Sequence, residues 1–170
     1  MDDLVTRKKK TSHSQRILRG VYSKNGNYSE VVAYALRFPN AIFTLSSALA
    51  FYQMGDFVLE PPFDLVFLRG SRINHDPKIH QHFESSFERC VASTTIYYRG
   101  RWIWIYTRER LLFEIFHAKN KLGPERYQAA IQTFREIART SSFKYDLFED
   151  ICKILCFARS YPSRFALEVL

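Results

Sequence analysis

The sequence predicts an α+β fold in which a small mixed sheet containing a β-hairpin is covered by helices. Helical patterns of apolar residues occur before residue 55, β-rich segments follow up to residue 106, and helical patterns fill the C-terminal third. This order differs from the regular strand–helix alternation of a doubly wound sheet. We therefore expect one small sheet whose apolar surface is buried by helices.

The composition is that of a single globular domain. Its 170 residues are 46% hydrophobic and 16% aromatic, which excludes a disordered chain. No apolar segment approaches the roughly 18 residues of a membrane span, and no secretory signal follows the N-terminal lysines. The three cysteines, an odd number, argue against a disulfide framework. We therefore expect a soluble, cytoplasmic protein.

Two helices are predicted in the N-terminal part of the chain. The first has apolar residues at helical spacing, with Asn27 as its cap and Pro39 as its stop; they are Tyr28, Val31, Val32, Ala35 and Leu36. The second lies within Leu45–Met54, is entered from Thr44 and is ended by Gly55.

Four strands are predicted in the middle of the chain. Phe63–Leu68 is a short apolar run typical of a strand buried on both faces, and Ile79–Phe83 is a second short strand. Thr94–Tyr98 and Arg101–Tyr106 are β-rich runs separated by Arg99-Gly100. This spacing predicts a hairpin with a two-residue turn.

The two faces of this hairpin differ in chemistry, because side chains alternate along a strand. One face carries Ile96, Tyr98, Ile103 and Ile105, and the other carries Thr95, Tyr97, Trp102, Trp104 and Tyr106. The favoured interpretation is that helices cover both faces. The alternative is that the aromatic face is an exposed binding surface.

The C-terminal third is predicted to form successive helices. Thr107 caps the first, whose apolar stripe contains Leu111, Leu112, Ile115 and Phe116. Gly123-Pro124 separates it from a second helix, a third begins near Phe143, and Ser163 is a candidate cap for a short last helix.

The charge distribution favours an anionic partner. The chain has 25 Lys and Arg against 17 Asp and Glu, a formal net charge of +8. Residues 1–19 contain six basic and two acidic side chains, and so carry half of that net charge. A basic segment of this kind is typical of nucleic-acid contacts, the alternative being a solvated terminus. The candidate nucleic-acid-binding residues are Arg7, Lys8, Lys9, Lys10, Arg16 and Arg19.

A second group of polar and basic residues lies at the two ends of the helix that follows the hairpin: Arg108, Arg110, Lys119, Asn120 and Lys121. These residues form either a cationic contact surface, for phosphates or for an acidic protein, or ordinary capping and dipole interactions. With Trp102 and Trp104, they are our candidate partner-binding residues.

Catalysis finds little support in the sequence. No phosphate-binding glycine loop, nucleophile elbow or zinc-protease motif occurs. A metal-dependent nuclease remains an alternative, with Asp64, Asp76, Lys78 and Glu84 as its acid and lysine group. His75, His80 and His82 could hold a metal only if they converge. We predict no enzymatic activity, no cofactor and no metal.

Three segments together resemble the AbiEi-type antitoxins of bacterial type IV toxin–antitoxin, or abortive infection, systems. They are residues 16–22 (RILRGVY), 41–56 (AIFTLSSALAFYQMGD) and 105–122 (IYTRERLLFEIFHAKNKL). The resemblance implies an N-terminal winged helix-turn-helix that represses its own operon. It also implies a C-terminal domain that neutralises a co-encoded nucleotidyltransferase toxin.

The same resemblance places Arg19–Tyr22 at the end of the wing and puts Arg108–Arg110 and Lys119–Lys121 in the C-terminal domain. Only 15 residues precede Arg16, too few for the helices that come before a wing. We therefore expect residues 1–26 to be a basic arm with a wing remnant and residues 27–170 to be the α+β antitoxin domain. A small nucleic-acid-binding module without a toxin is the alternative function.

Overall fold

The fold is organised by two sheets. The computed structural model describes residues 4–6, 14–24, 26–140 and 142–159, without the side chains of residues 5, 6, 120, 121 and 156–159. The strands are β1 (Leu4–Thr6), β2 (Gln15–Leu18), β3 (Val21–Ser23), β4 (Ile42–Phe43), β5 (Phe63–Leu68), β6 (Ile79–Glu84), β7 (Ser93–Tyr98) and β8 (Arg101–Tyr106). The helices are α1 (Glu30–Arg37), α2 (Leu45–Phe51), α3 (Ser86–Cys90), α4 (Arg108–His117), α5 (Lys119–Leu122), α6 (Pro124–Ala138) and α7 (Tyr145–Arg159). The predicted α+β class is therefore confirmed.

The larger sheet is mixed and has the strand order β6-β5-β4-β8-β7. Strand β5 is parallel to β6 and antiparallel to β4, β4 is parallel to β8, and β7 and β8 form the predicted hairpin. The two-residue strand β4 lies at the centre of this sheet and was not predicted. Two residues are too few to show a period, so only pairing with both neighbours defines this strand.

The register divides the larger sheet into two faces. The face that carries Phe43, Leu65 and Ile105, here called the inner face, belongs to the main hydrophobic core together with residues of α1, α2, α4 and α6. The opposite, outer face carries Ile42, Val66 and Tyr106, which form a small buried cluster of their own.

The smaller sheet is antiparallel, with the order β1-β3-β2, and it packs on α1. Leu4 and Val21 share a buried cluster with Val32 and Ala33. Arg19 and Gly20 form the turn between β2 and β3, and Gly20 has a φ of 84°, which glycine adopts without strain. The division of the chain into a basic arm with a wing remnant, residues 1–26, and an antitoxin domain, residues 27–170, stays a prediction.

The helix predictions hold with corrections at the ends. The N-cap of α1 is Ser29 and not Asn27, and the helix ends at Arg37, before Pro39. Helix α2 ends at Phe51, four residues before Gly55. Helix α3 was not predicted, although Ser85 and Glu88 form a capping box at its start.

The C-terminal helices follow the predicted signals. Thr107 caps α4 by accepting a hydrogen bond from the backbone N–H of Arg110, and Pro124 occupies the first turn of α6. The third helix begins at Tyr145. Ser163 lies outside the described residues. Among the helices described, none has both the length and the apolar character needed to cross a membrane.

Candidate functional site

The outer face of the β7–β8 hairpin exposes three aromatic side chains. Tyr97 is 61% exposed, Trp102 is 70% exposed and Trp104 is 44% exposed. Tyr97 pairs with Trp102 across the hairpin, and their ring centroids lie 5.2 Å apart in an edge-to-face contact. The prediction that helices cover both faces of the hairpin is therefore wrong for the outer face. We call these three residues the aromatic surface.

The opposite side of the hairpin fixes this surface in place. Ile103 is buried on the inner face, and the Tyr98 ring contacts Phe51 edge-on at 5.3 Å between centroids. Both turn residues have positive φ, 45° for Arg99 and 84° for Gly100, as in a type I′ turn. Such a turn matches the twist of the paired strands, so the exposed rings stand on a rigid support.

Two arginines lie at the tip of the hairpin. Arg99 is exposed, with its guanidinium 5.8 Å from the Tyr98 ring centroid. Arg101 is exposed as well, and its Nη2 donates a 3.1 Å hydrogen bond to the carbonyl oxygen of Leu4 in β1. This bond ties the smaller sheet to the hairpin.

The candidate nucleic-acid-binding residues divide into two groups. Arg16, in β2, and Arg19, in the turn after it, are exposed. Arg7, Lys8, Lys9 and Lys10 lie outside the described residues. Their predicted role stays a prediction, but strand β1, which directly precedes Arg7 in the sequence, contacts the hairpin through Arg101.

Arg110 is not part of a contact surface, contrary to the prediction. Its side chain is fully buried, and its Nη2 atom lies 2.9 Å from Glu84 Oε2 and 2.7 Å from Glu114 Oε1. The guanidinium also stacks on the Tyr106 ring at 4.6 Å. In the sequence Arg110 is one of several neighbouring basic residues, whereas the fold turns its side chain inward onto the carboxylates of buried Glu84 and half-buried Glu114.

The other predicted cations of this helix do not form one patch either. The Arg108 guanidinium lies 5.1 Å from the Tyr52 ring centroid and is partly buried. Lys119 is exposed, but it belongs to the separate short helix α5, with its ammonium 5.3 Å from the Tyr127 ring. The side chains of Asn120 and Lys121 lie outside the description. Exposed candidates for partner contact are therefore Lys119 and the two tryptophans.

A buried polar cluster occupies the outer face at the other end of the sheet. The Tyr106 hydroxyl donates a 2.7 Å hydrogen bond to Glu84. Burial, followed by the charge of Glu84, raises the pKa of Tyr106 well above its ordinary value, so this hydroxyl stays a donor. This cluster was not predicted, because its members come from three elements that are distant in sequence, β6, β8 and α4.

The carboxylates of the nuclease alternative have separate partners. Asp64 Oδ1 lies 3.0 Å from His82 Nε2 and 3.5 Å from His80 Nδ1. Asp76 accepts hydrogen bonds from the Tyr34 hydroxyl at 2.8 Å and from Arg37 at 2.9 Å. No group of three or more potential metal ligands converges among the residues that the structure describes. The nuclease alternative stays a prediction.

The pKa of Asp76 reflects opposing effects. Partial burial acts to raise it, but hydrogen bonds from the Tyr34 hydroxyl and the backbone N–H of Lys78, together with the charge of Arg37, outweigh burial. The pKa of Asp76 therefore lies below its ordinary value, as expected for a carboxylate held in an ion pair.

A scan against protein-family models finds no match to this chain, and a search of curated proteins finds none either. The resemblance to AbiEi-type antitoxins thus rests on the three sequence segments.

Proposed function

We propose that this protein is an antitoxin-like regulator of a type IV toxin–antitoxin system. It would oppose a co-encoded nucleotidyltransferase toxin in the cytoplasm, bind DNA weakly and contribute to autoregulation of its operon. It would act in phage defence by binding macromolecules and not by catalysis. The observation that carries the binding role is the exposure of Tyr97, Trp102 and Trp104 on one rigid sheet face.

An aromatic surface of this kind is costly to leave in water. A tryptophan or tyrosine side chain buries about 150–250 Å² when it is covered, and these residue types are enriched among those that dominate binding energies. The hairpin is held by its inner face, so little conformational freedom remains to be lost on association. These properties support a docking role.

Two of the AbiEi-like segments build the support for this surface. Residues 41–56 supply Phe43 and Leu49 to the main core, and residues 105–122 supply Leu112 and Ile115. The apolar pattern of these segments is thus explained by packing, and the hairpin joins the same core through Ile103 and Ile105. The proposal accordingly assigns the segments a scaffold role and the exposed residues a contact role.

Co-expression tests the proposal. We expect the neighbouring reading frame to encode a nucleotidyltransferase-like protein whose toxicity this chain relieves. The double variant Trp102→Ala, Trp104→Ala should lose at least part of this protection. Phe87→Ala is the matched control, because Phe87 is 58% exposed but lies in α3, outside the hairpin. Toxicity that the native chain leaves unchanged would contradict the proposal.

A nucleic-acid-binding module without a toxin partner is the second candidate. The observation that favours it is the pair of exposed arginines at the hairpin tip, Arg99 and Arg101, in a chain of net charge +8. In this case the purified protein binds nucleic acid with strong salt dependence, while co-expression with the neighbouring gene product has no effect.

A further inference from the structure

We infer that this chain forms a symmetric dimer in which strand β7 pairs antiparallel with β7 of a second copy. The larger sheet then continues from one molecule into the other. This inference goes beyond the proposed function and depends neither on a toxin nor on nucleic acid. It rests on a sheet edge that keeps backbone groups available for pairing and lacks the features that normally protect such an edge.

The register of the hairpin shows which backbone groups of β7 already have partners. Strand β7 is the last strand of the larger sheet, and among the described strands it pairs with β8 alone. The two-residue turn makes Tyr98 and Arg101 a hydrogen-bonded pair, and such pairs recur at every second residue of an antiparallel ladder. The 3.0 Å hydrogen bond from the backbone N–H of Thr107 to the carbonyl oxygen of Ala92 follows the same alternation. Even-numbered residues of β7 therefore bond to β8.

The odd-numbered residues of β7 point their backbone N–H and C=O groups away from β8, towards the open edge of the sheet. These residues are Ser93, Thr95 and Tyr97. Thr95 and Tyr97 are also exposed. A strand edge with groups of this kind binds another extended strand through main-chain hydrogen bonds.

The other three edges of the two sheets carry features that hinder such pairing. Strand β1 has only three residues. Strand β2 has four residues, contains the charged Arg16, and shifts its register between Arg16 and Leu18. Strand β6 contains two histidines and the buried carboxylate of Glu84. Strand β7, by contrast, has six residues without a proline, a charge or a shift in register. Short length, charge and irregular register are the usual protection of an edge, and β7 has none of them.

The charge of the chain favours a second copy at this edge. Two molecules that each carry a formal net charge of +8 repel each other at long range. At a two-fold axis each side chain lies near its own equivalent, so a charged residue there would face a like charge. Residues 93–98 (STTIYY) contain no charged side chain. Two copies can therefore meet along this strand without like charges facing each other at the axis.

A register centred on Thr95 uses all three outward-facing residues. Thr95 then pairs with Thr95 of the second copy, and Tyr97 pairs with Ser93 of the second copy. These three pairs supply about six main-chain hydrogen bonds. Ser93 and Thr95 are small, so they leave space beside the Tyr97 ring on the outer face. The two-fold axis is perpendicular to the sheet, so the aromatic surfaces of both copies lie on the same side.

The size of the contact indicates how stable the dimer is. A strand of six residues is about 20 Å long, so the contact is a narrow one. Interfaces that bury less than about 1,200 Å² in total are typical of weak, reversible association. We therefore expect a dimer that dissociates on dilution.

Sedimentation and amide exchange test the dimer directly. Analytical ultracentrifugation of the purified full chain should show a shift from monomer to dimer as concentration rises. Amide hydrogen exchange followed by NMR should show protection of the Thr95 and Tyr97 N–H groups only at high concentration. The N–H groups of Thr94 and Ile96, which bond to β8, should be protected at both concentrations.

Variants at Thr95 locate the contact. Thr95→Pro removes an N–H that the hairpin does not use, and so removes two hydrogen bonds of the dimer and none of the hairpin. It should weaken dimerisation by about 5- to 150-fold, the range expected for two main-chain hydrogen bonds. Thr95→Ala keeps the N–H and should leave dimerisation unchanged.

A second pair of variants tests the same contact without proline. Thr95→Lys places like charges opposite each other at the axis and should also weaken the dimer. Phe87→Lys is the matched control, because it adds the same charge at an exposed position in α3 and should leave the dimer intact. Circular dichroism checks that each variant is folded.

Each outcome decides for or against edge pairing. Loss of the dimer in Thr95→Pro and Thr95→Lys, but not in the two controls, supports the inference. A chain that stays monomeric at every concentration overturns it. So does a dimer that persists in both Thr95 variants, or one that forms without protection of the Thr95 and Tyr97 amides. A dimer that is lost in Trp102→Ala but kept in Thr95→Pro also overturns it, in favour of association through the aromatic surface.

Discussion

The two ends of the outer sheet face reverse the usual distribution of side chains. The buried end contains Asp64 of β5, Glu84 of β6 and Tyr106, the last residue of β8, whereas at the exposed end, near the hairpin turn, Trp102 and Trp104 are exposed. Polar groups are normally found at the surface and large aromatic groups inside. Both ends belong to one sheet of regular register, so the difference comes from what packs against each end and not from the strands.

Strand β8 shows this change from exposed to buried in three side chains of the outer face. Trp102, Trp104 and Tyr106 point to the same side, yet their exposed fractions are 70%, 44% and 0%. Helix α4 begins directly after Tyr106 and brings Arg110 onto its ring. Chemically similar side chains thus become exposed surface or core according to their distance from the start of this helix.

The largest expected effect comes from removing the cation of the buried end. Arg110→Ala leaves Glu84 and Glu114 without their shared guanidinium, which should lower the free energy of unfolding by about 3–5 kcal/mol. Urea denaturation followed by circular dichroism measures this change. Arg108→Ala, two residues earlier on the same helix, is the matched control and should cost at most about 1 kcal/mol. Equal losses for the two arginines would contradict the description of the buried end.

The exposed end can be tested at adjacent residues. Ile103→Ala removes a side chain that is 2% exposed and should cost about 3 kcal/mol in urea denaturation. Trp102→Ala, its neighbour on the outer face, should change stability by about 0.5 kcal/mol or less, as for other exposed positions. A large loss for Trp102→Ala would show that the aromatic surface belongs to the core and not to a partner.

A smaller effect is expected from one hydroxyl at the buried end. Tyr106→Phe keeps the ring under Arg110 but removes the hydrogen bond to Glu84, and should cost about 1.5 kcal/mol. The matched variant Tyr97→Phe removes an exposed hydroxyl at the other end of the face and should have no measurable effect. Thermal and urea unfolding of both variants check the difference.

The smallest effect concerns a partly buried ion pair outside this face. The pKa of Asp76 is lower in the folded chain than in the unfolded chain, so its contribution to stability is present above about pH 4 and is lost as the pH falls through the folded value. Native protein should therefore exceed Asp76→Asn in stability at pH 6, and this difference should shrink towards pH 3. Denaturation of both proteins across this range measures it, and a difference that grows on acidification would contradict the assignment.

The sequence was a reliable guide wherever a pattern was long or chemically distinctive. Alternation over two six-residue strands predicted the hairpin, and Thr107, Gly123 and Pro124 predicted helix ends, because these signals depend on nearby residues only. It failed for β4, which is too short to show a period. It also failed for α3, which has five residues and only one strongly apolar side chain, Phe87. The nature of the site was harder to predict, since aromatic and basic residues look alike in sequence whether they are buried or exposed.

By itself, the sequence determined the α+β class, the hairpin with its aromatic face, and the helical C-terminal third. Only the tertiary structure decided that Trp102 and Trp104 are exposed while Tyr106 and Arg110 are buried against Glu84. The physical reason is that secondary structure follows from local periodicity, whereas exposure and ion pairing depend on residues that are distant in sequence and meet only when the helices pack on the sheet.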